Sequence, residues 1–281
     1  MRISAPGLET RPVSSSLGTE VAGIDLREEQ PPEVVDALRA AFRDTGLLLV
    51  REQELTFDEQ QRFAGYVGLP TKRLPDGFVP GMTELPSMAQ YISNTRPDGV
   101  GRERNLLKHS DYCFEEQVLL GVCLYAEVAP RTGGETIFVN ARRAAAALGA
   151  GLRAKLDGVD VRHVYDMDGV EEGFRKYDIE NKPRARKYVR PALLTHPVTG
   201  DEVLYVNELM TDRVEGLPPD ESSALLDEIY QHLDRPEFRY DHAWSVGDLI
   251  VWDNIALQHG RTDMPLGEPR SMRRLMLDVP A

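Results

Sequence analysis

The stretch that most constrains how this chain can fold is Lys108-His109-Ser110-Asp111, read together with a distant partner, Gly247-Asp248-Leu249-Ile250-Val251-Trp252-Asp253-Asn254-Ile255-Ala256-Leu257-Gln258-His259-Gly260. Side chains alternate faces along an extended strand, so residues two apart point the same way. A strand through the first stretch would aim the His109 imidazole and the Asp111 carboxylate into one space. His259 completes a set of two histidines and one carboxylate. Such a set covers one face of a metal and leaves open positions on the other, the geometry of non-haem Fe(II) oxygenases. The pattern H-x-D alone is common by chance, so the weight rests on the whole constellation. Arg270 and Arg274 follow the second stretch and share a face if their segment is a strand.

Composition narrows the partners. A chain of 281 residues is long enough for one large domain with a full core, or for two small ones. A net charge of -13 argues against a general nucleic-acid binder, which needs a basic face, but leaves room for a local basic pocket that takes a small anion. Two cysteines, Cys113 and Cys123, make no disulfide framework, and a reducing cytoplasm is the simplest compartment. No apolar run follows the N-terminal charge as in a signal peptide, and no apolar stretch is long enough to span a membrane. The expected partner is therefore a small-molecule substrate, with neither nucleic acid nor membrane.

Along the chain, short strands and turns fill the first thirty residues. Pro31 and Pro32 open a helix with Val34, Val35, Leu38, Ala41 and Phe42 as its apolar stripe, ended by Gly46. Leu47 to Val50 reads as a buried strand. Thr56 and Glu59 fit a capping box that starts a second helix. Strands are expected at Ala89 to Ser93, Leu119 to Val128 and Thr136 to Val139, with Asn140 capping an Ala-rich helix. Leu193 to His196 and Val203 to Val206, flanking Pro197-Val198-Thr199-Gly200-Asp201, carry a hairpin signal, and Pro218-Pro219 open a helix. Residues 166 to 191 carry many charges and little apolar periodicity, and read as a long excursion that can serve as a lid. The sum is one domain over 1–281, mainly β with flanking helices. No G-x-G-x-x-G follows a strand, and neither a P-loop nor a G-x-S-x-G elbow is present.

The chemistry follows from the ligand set. Fe(II) held by two imidazoles and one carboxylate keeps three positions free, two for a bidentate 2-oxo acid and one for O2. The far carboxylate of the acid needs a cationic partner. Arg270 suits it, because a planar guanidinium grips a carboxylate in two places. Thr136 can add a hydroxyl hydrogen bond to the same group.

With these residues in place, the sequence resembles the taurine dioxygenase (TauD/TfdA-like) group of Fe(II)/2-oxoglutarate-dependent oxygenases. The resemblance rests on His109-Ser110-Asp111, Gly133-Gly134-Glu135-Thr136, Gly247-Asp248, Trp252-Asp253-Asn254, His259 and Arg270-Ser271-Met272-Arg273-Arg274, in matching order and spacing. It implies a double-stranded β-helix (jelly-roll) core. It also implies His109, Asp111 and His259 as iron ligands, and Thr136, Arg270 and Arg274 around 2-oxoglutarate. Arg274, Tyr112 and Asn105 fall where sulfonate-using members contact substrate. Relatives are often dimers or tetramers, which makes a homo-oligomer part of the expectation. Lys108 stands where the family commonly has Trp, and Tyr112 replaces a smaller apolar residue, so taurine is not the expected substrate. Asp111 is retained where halogenating relatives carry a small residue, which favours hydroxylation.

The remaining histidines, His163, His196, His232 and His242, read as structural, Asp253 as a turn residue and Cys113 as packing. Two rival readings use the same residues. One is a Zn(II) hydrolase with a metal-bound water, although no glutamate base sits beside a ligand as in H-E-x-x-H. The other is a non-catalytic anion-binding jelly roll.

Overall fold

The structure, a computed structural model, describes residues 7–73, 87–100, 105–166 and 185–280. Helix α1 (Pro32–Thr45) starts behind Pro31, where a proline loses no intrahelical bond. It ends at Gly46, whose φ of 74° is left-handed and whose N–H donates to Phe42 O. Strand β3 (Leu47–Val50) follows at once and is wholly buried. Its four apolar residues make sense because both of its faces are covered. Leu47 and Leu49 join one core with Trp252 and Phe138, while Leu48 and Val50 join another with Leu38 and Phe42 of α1. Helix α2 (Phe57–Ala64) opens on the expected capping box, with Thr56 N–H donating to Glu59 and Glu59 N–H to the Thr56 hydroxyl.

Two sheets form the centre. The larger contains β1 (Glu9–Pro12), β2 (Thr19–Ala22), β3, β4 (Leu69–Thr71), β5 (Gln90–Ser93), β7 (Gly121–Val128), β15 (Leu249–Asp253) and β17 (Ser271–Asp278). Its order is β1-β2-β3-β15-β7-β17-β4, with β5 also on β17. The smaller contains β6 (Leu106–His109), β8 (Thr136–Asn140), β14 (Arg239–His242) and β16 (Leu257–Arg261), in the order β14-β8-β16-β6. Its pairs are antiparallel. Leu124, Trp252, Met272 and Met276 of the large sheet meet Phe138 and Leu257 of the small one. This is the expected mainly-β jelly-roll core.

Helices α1 and α2 cover the outer face of the large sheet. The outer face of the small sheet packs through Val139 against α3 (Ala141–Ala146), α4 (Ala150–Leu156) and α5 (Pro219–Leu233). Beside them lie β9 (Asp160–Asp166), β10 (Ala185–Pro191), β13 (Thr211–Val214) and the hairpin of β11 (Leu193–Thr195) and β12 (Glu202–Leu204). Asn140 caps α3 as expected, accepting from Arg143 N–H. The Ala-rich helix is two short helices, however, because the chain extends at Gly149 and starts again.

The expected excursion over 166 to 191 lies largely outside the described residues. Its last part is regular: β10 pairs with β9 in continuous antiparallel register, from Ala185 opposite Asp166 to Pro191 opposite Asp160. What holds it is polar. Buried Arg190 donates to Cys113 O and Glu115 O, and Arg186 makes a two-pronged pair with the Glu115 carboxylate. A strand fixed in this way shows no apolar period. Among the described residues no helix is long and apolar enough to cross a membrane.

Leu38 is fully buried between α1 and the large sheet. Leu38→Ala is expected to lower the unfolding free energy by about 2–5 kcal/mol, read from the denaturant midpoint with an unchanged slope.

Candidate metal centre and co-substrate pocket

Strands β6 and β16 pair with His109 directly opposite His259. Opposite residues of an antiparallel pair leave the same face, and these two rings stand 4.2 Å apart between centroids. His109 Nδ1 lies 2.9 Å from Leu107 O. A carbonyl only accepts, so Nδ1 carries a proton, and Nε2 is the ring nitrogen that faces inward. His109 Nε2 is 3.3 Å from Asp111 Oδ1, and His259 Nε2 is 3.8 Å from Asp111 Oδ2. One donor atom from each residue lies within 4.8 Å of the others. The three residues singled out from the sequence thus come together.

Strand alternation does not place Asp111, because β6 ends at His109 and Asp111 opens a turn. Its backbone is held by the Asn254 side chain, which takes its N–H at 2.8 Å and gives to its carbonyl at 2.9 Å. Burial disfavours the Asp111 carboxylate, but Arg274, whose Nη2 is 2.5 Å from Oδ2, and the two imidazoles outweigh it. They hold the carboxyl well below its usual range. Burial, then the neighbouring His109, pushes His259 down to about 3. Asp111 is therefore ionised and His259 neutral, the states in which they can bind a cation.

Arg270 stands just before β17, almost completely buried at 3 % exposure. Its N–H donates to Asn94 Oδ1. Its stem passes the Gly133-Gly134 turn, where a Cβ on Gly134 would sit 3.5 Å from Arg270 Cδ. Both glycines have left-handed φ, at 71° and 69°. The guanidinium Nε and Nη1 are buried without a hydrogen-bond partner among the described residues. Burial and the nearby Arg261 push the group down to about 9. A buried cation of this kind is costly unless an anion meets it.

Thr136 opens β8, buried, and its hydroxyl accepts from Trp244 Nε1 at 2.9 Å. An indole N–H only donates, so the hydroxyl keeps its own proton for an acceptor. Arg274 lies on the inner face of β17 with Met272 and Met276, and its Nη1 donates to Gln90 Oε1. Arg273 points the other way, to Gln60, Leu55 O and Thr56 O. Tyr112 is buried with a left-handed φ of 62°. Its hydroxyl donates to Arg73 O, and burial pushes it up to about 12. Asn105 is exposed, with its N–H on the Asp263 carboxylate, and no described contact joins it to the triad.

The other sequence readings divide as follows. Lys108 turns away to Asp234 and Glu208. Tyr91 lies opposite Arg273 in register, and so on the outer face, under the Arg96 guanidinium. His163 meets the Thr211 hydroxyl, His232 the Ala144 carbonyl, and His242 bridges Tyr240 and Asp248. His196 Nδ1 accepts from Val198 and Thr199 N–H. Asp253 accepts from Ile255 and Ala256 N–H and so ties its turn. Cys113 packs on Met210 and Asn207, its thiol pushed up to about 12 by burial. Sequence reasoning assigned no role to Asn254, Gln90 or Trp244. Of these only Asn254 carried a signal, as part of Trp252-Asp253-Asn254.

Residues 9–276 match the model of the taurine catabolism dioxygenase TauD, TfdA family. The chain belongs to that family. It is 31% identical over 278 residues to the alpha-ketoglutarate-dependent 2,4-dichlorophenoxyacetate dioxygenase of Cupriavidus pinatubonensis, covering 94% of this chain and 95% of that one. It is 27% identical over 281 residues to the alpha-ketoglutarate-dependent sulfate ester dioxygenase of Pseudomonas putida, covering 96% and 89%. The crystal structure of AAD-2 with Mn(II) and N-oxalylglycine superposes with a TM-score of 0.80 at 25% identity, covering 98% of each chain. This member of the TauD, TfdA family is accordingly a dioxygenase that uses Fe(II), 2-oxoglutarate and O2 and acts on a small molecule. The hydrolase and non-catalytic readings give way.

Arg270 also has a consequence for stability. Its folded-state pKa lies below its unfolded value, so its charge destabilises the fold fully below about pH 9, and the penalty fades as pH rises further. Arg270→Met, close in volume and uncharged, is expected to raise the thermal midpoint of the metal-free protein at pH 7, as differential scanning calorimetry would read it.

Proposed function

We propose that His109, Asp111 and His259 hold the Fe(II), that Arg270 and Thr136 hold the far carboxylate of 2-oxoglutarate, and that Arg274 receives the anionic group of a small organic substrate that is hydroxylated. The observation that carries this reading is the buried guanidinium of Arg270, which shares strand parity with Arg274, itself in contact with Asp111. The donor set fits a facial Fe(II) site: two imidazole nitrogens and one ionised carboxylate, with the arginines to one side.

His109, Asp111 and His259 would hold Fe(II), which would supply the coupling of O2 to oxidative decarboxylation of 2-oxoglutarate, with one oxygen atom going to succinate and the other into a substrate C–H bond to give C–OH. The chain's own residues set the stage for this. The Arg270 fork and the Thr136 hydroxyl fix the far end of the 2-oxo acid, which leaves its keto acid end toward the triad. Arg274 anchors the Asp111 carboxylate through Nη2 and is steadied by Gln90 at Nη1, and its remaining N–H groups are offered to an anion. Leu124, Met272 and Trp252 line the dry interior between the sheets. Tyr112 forms a wall of the substrate space, beside the ligand that precedes it. Two relatives act on 2,4-dichlorophenoxyacetate and on sulfate esters, both anions, which supports an anionic substrate here.

The test is anaerobic. Fe(II) and then 2-oxoglutarate added to metal-free protein should produce the weak visible charge-transfer band of a chelated 2-oxo acid. His259→Ala should abolish the band, and Arg270→Ala should weaken 2-oxoglutarate binding about 30- to 1000-fold. With O2 admitted, aryloxyalkanoates, alkyl sulfates and sulfonates are compared with their neutral esters or amides by succinate release. Anions should drive turnover and lose it in Arg274→Ala. Equal turnover of the neutral compounds would sink the assignment of Arg274.

A further inference from the structure

Asp111 faces a problem that the two histidines do not. His109 and His259 sit in a ladder, opposite each other. Asp111 lies past the end of β6, in a turn, next to a residue with left-handed backbone. Among the described residues no strand partner fixes it. The Asn254 side chain stands in for one. It is fully buried, its Oδ1 accepts from Asp111 N–H at 2.8 Å, and its Nδ2 donates to Asp111 O at 2.9 Å and to Leu119 O at 3.0 Å. One side-chain amide thereby takes both bonds of a single residue, as a hydrogen-bonded partner does in an antiparallel ladder. Every donor and acceptor named here is buried or part-buried, so losing the amide would leave them unsatisfied.

Asn254 is itself firmly placed. Its N–H donates to Leu120 O at 2.8 Å. The preceding Asp253 ties the turn through Ile255 and Ala256 N–H, both at 2.9 Å, and its other oxygen lies 2.9 Å from buried His196 Nε2. This turn joins β15 to β16, and β16 carries His259. The same connection therefore sets one imidazole through the chain and the carboxylate through a side chain.

We propose that Asn254 is the positioning residue of the metal site, holding the Asp111 backbone so that its carboxylate meets His109 and His259. The inference rests on Asp111 being a metal ligand. Arg274 orients the carboxylate from one side, and Asn254 fixes the main chain from which it projects.

The test uses the metal-free protein titrated with Co(II) or Mn(II) alone, without 2-oxoglutarate. Asn254→Ala removes the amide, and Asn254→Leu removes its hydrogen bonds while filling its space. Asn140→Ala is the comparison: Asn140 is also buried and also bonds two backbone groups, Arg143 N–H and Ser16 O, at a helix cap. Both Asn254 variants should weaken metal binding about 10- to 100-fold, the range for lost outer partners of metal ligands. Asn140→Ala should lose thermal stability and keep its metal affinity. Hydrogen exchange of the metal-free protein should show a slow Asp111 N–H in the unsubstituted chain, and faster exchange over residues 110–114 only in the Asn254 variants. Unchanged affinity in a folded Asn254 variant, an equal loss in Asn140→Ala, or fast Asp111 exchange in the unsubstituted protein each overturns the proposal. Asp111→Ala separates the two levels: if it binds metal normally, the ligand assignment itself is wrong.

Discussion

The pairing of β6 with β16 at His109 and His259 is the contact to which the rest of the site is fitted. It sets two imidazoles 4.2 Å apart in a buried place, where two positive charges would repel strongly. Burial keeps His259 neutral and so makes the arrangement tolerable. The close approach of the strands depends on the residue that follows His259. A Cβ on Gly260 would lie 2.7 Å from Leu106 O, so a side chain there would force the strands apart and with them the rings. Gly260 therefore helps to set the spacing of the two imidazoles without touching either ring.

Strand β17 shows how stability and function are separated by parity alone. Arg273 faces the helices and is fully engaged, by Gln60, two carbonyls and Glu127, so its buried charge costs little. Arg274, one residue on, faces the interior and holds a ligand carboxylate. Arg270, of the same parity, is buried with nitrogens that no described residue meets. The first arginine supports the fold and the last weighs against it. A register slip by one residue would exchange their surroundings, and the slip is prevented by Met272 and Met276, which share the inner face with Arg274 and pack into the core.

What was legible in the sequence was what obeys a local rule. The proline starts, the Gly46 stop, the Thr56 capping box and the doubly buried β3 follow from spacing and composition over a few residues. The ligand trio was legible as residue types in order. Its geometry was legible only in part, because Asp111 sits in a turn and strand alternation has no bearing on it. The amide that places it comes from 143 residues away. The same holds for Trp244, which fixes the Thr136 hydroxyl from 108 residues off, and for Gln90 on Arg274. Strand β10 is silent in the sequence for another reason: Arg190 and Arg186 anchor it through polar bonds, and a period-2 apolar pattern never arises.

Net charge was a poor guide to the site, for a physical reason. The chain carries -13, yet the group that pairs with Asp111 is Arg274, and Arg270 is buried nearby in sequence, just before the same strand. Exposed charges more than a Debye length of about 8 Å from an entering anion are largely screened at physiological ionic strength. A buried guanidinium is not screened in this way, and its interaction with an anion grows as the surroundings lose water. An acidic surface and an anion-binding interior therefore coexist without conflict. The two cations concerned are Arg270, just before β17, and Arg274, within it and of the same parity.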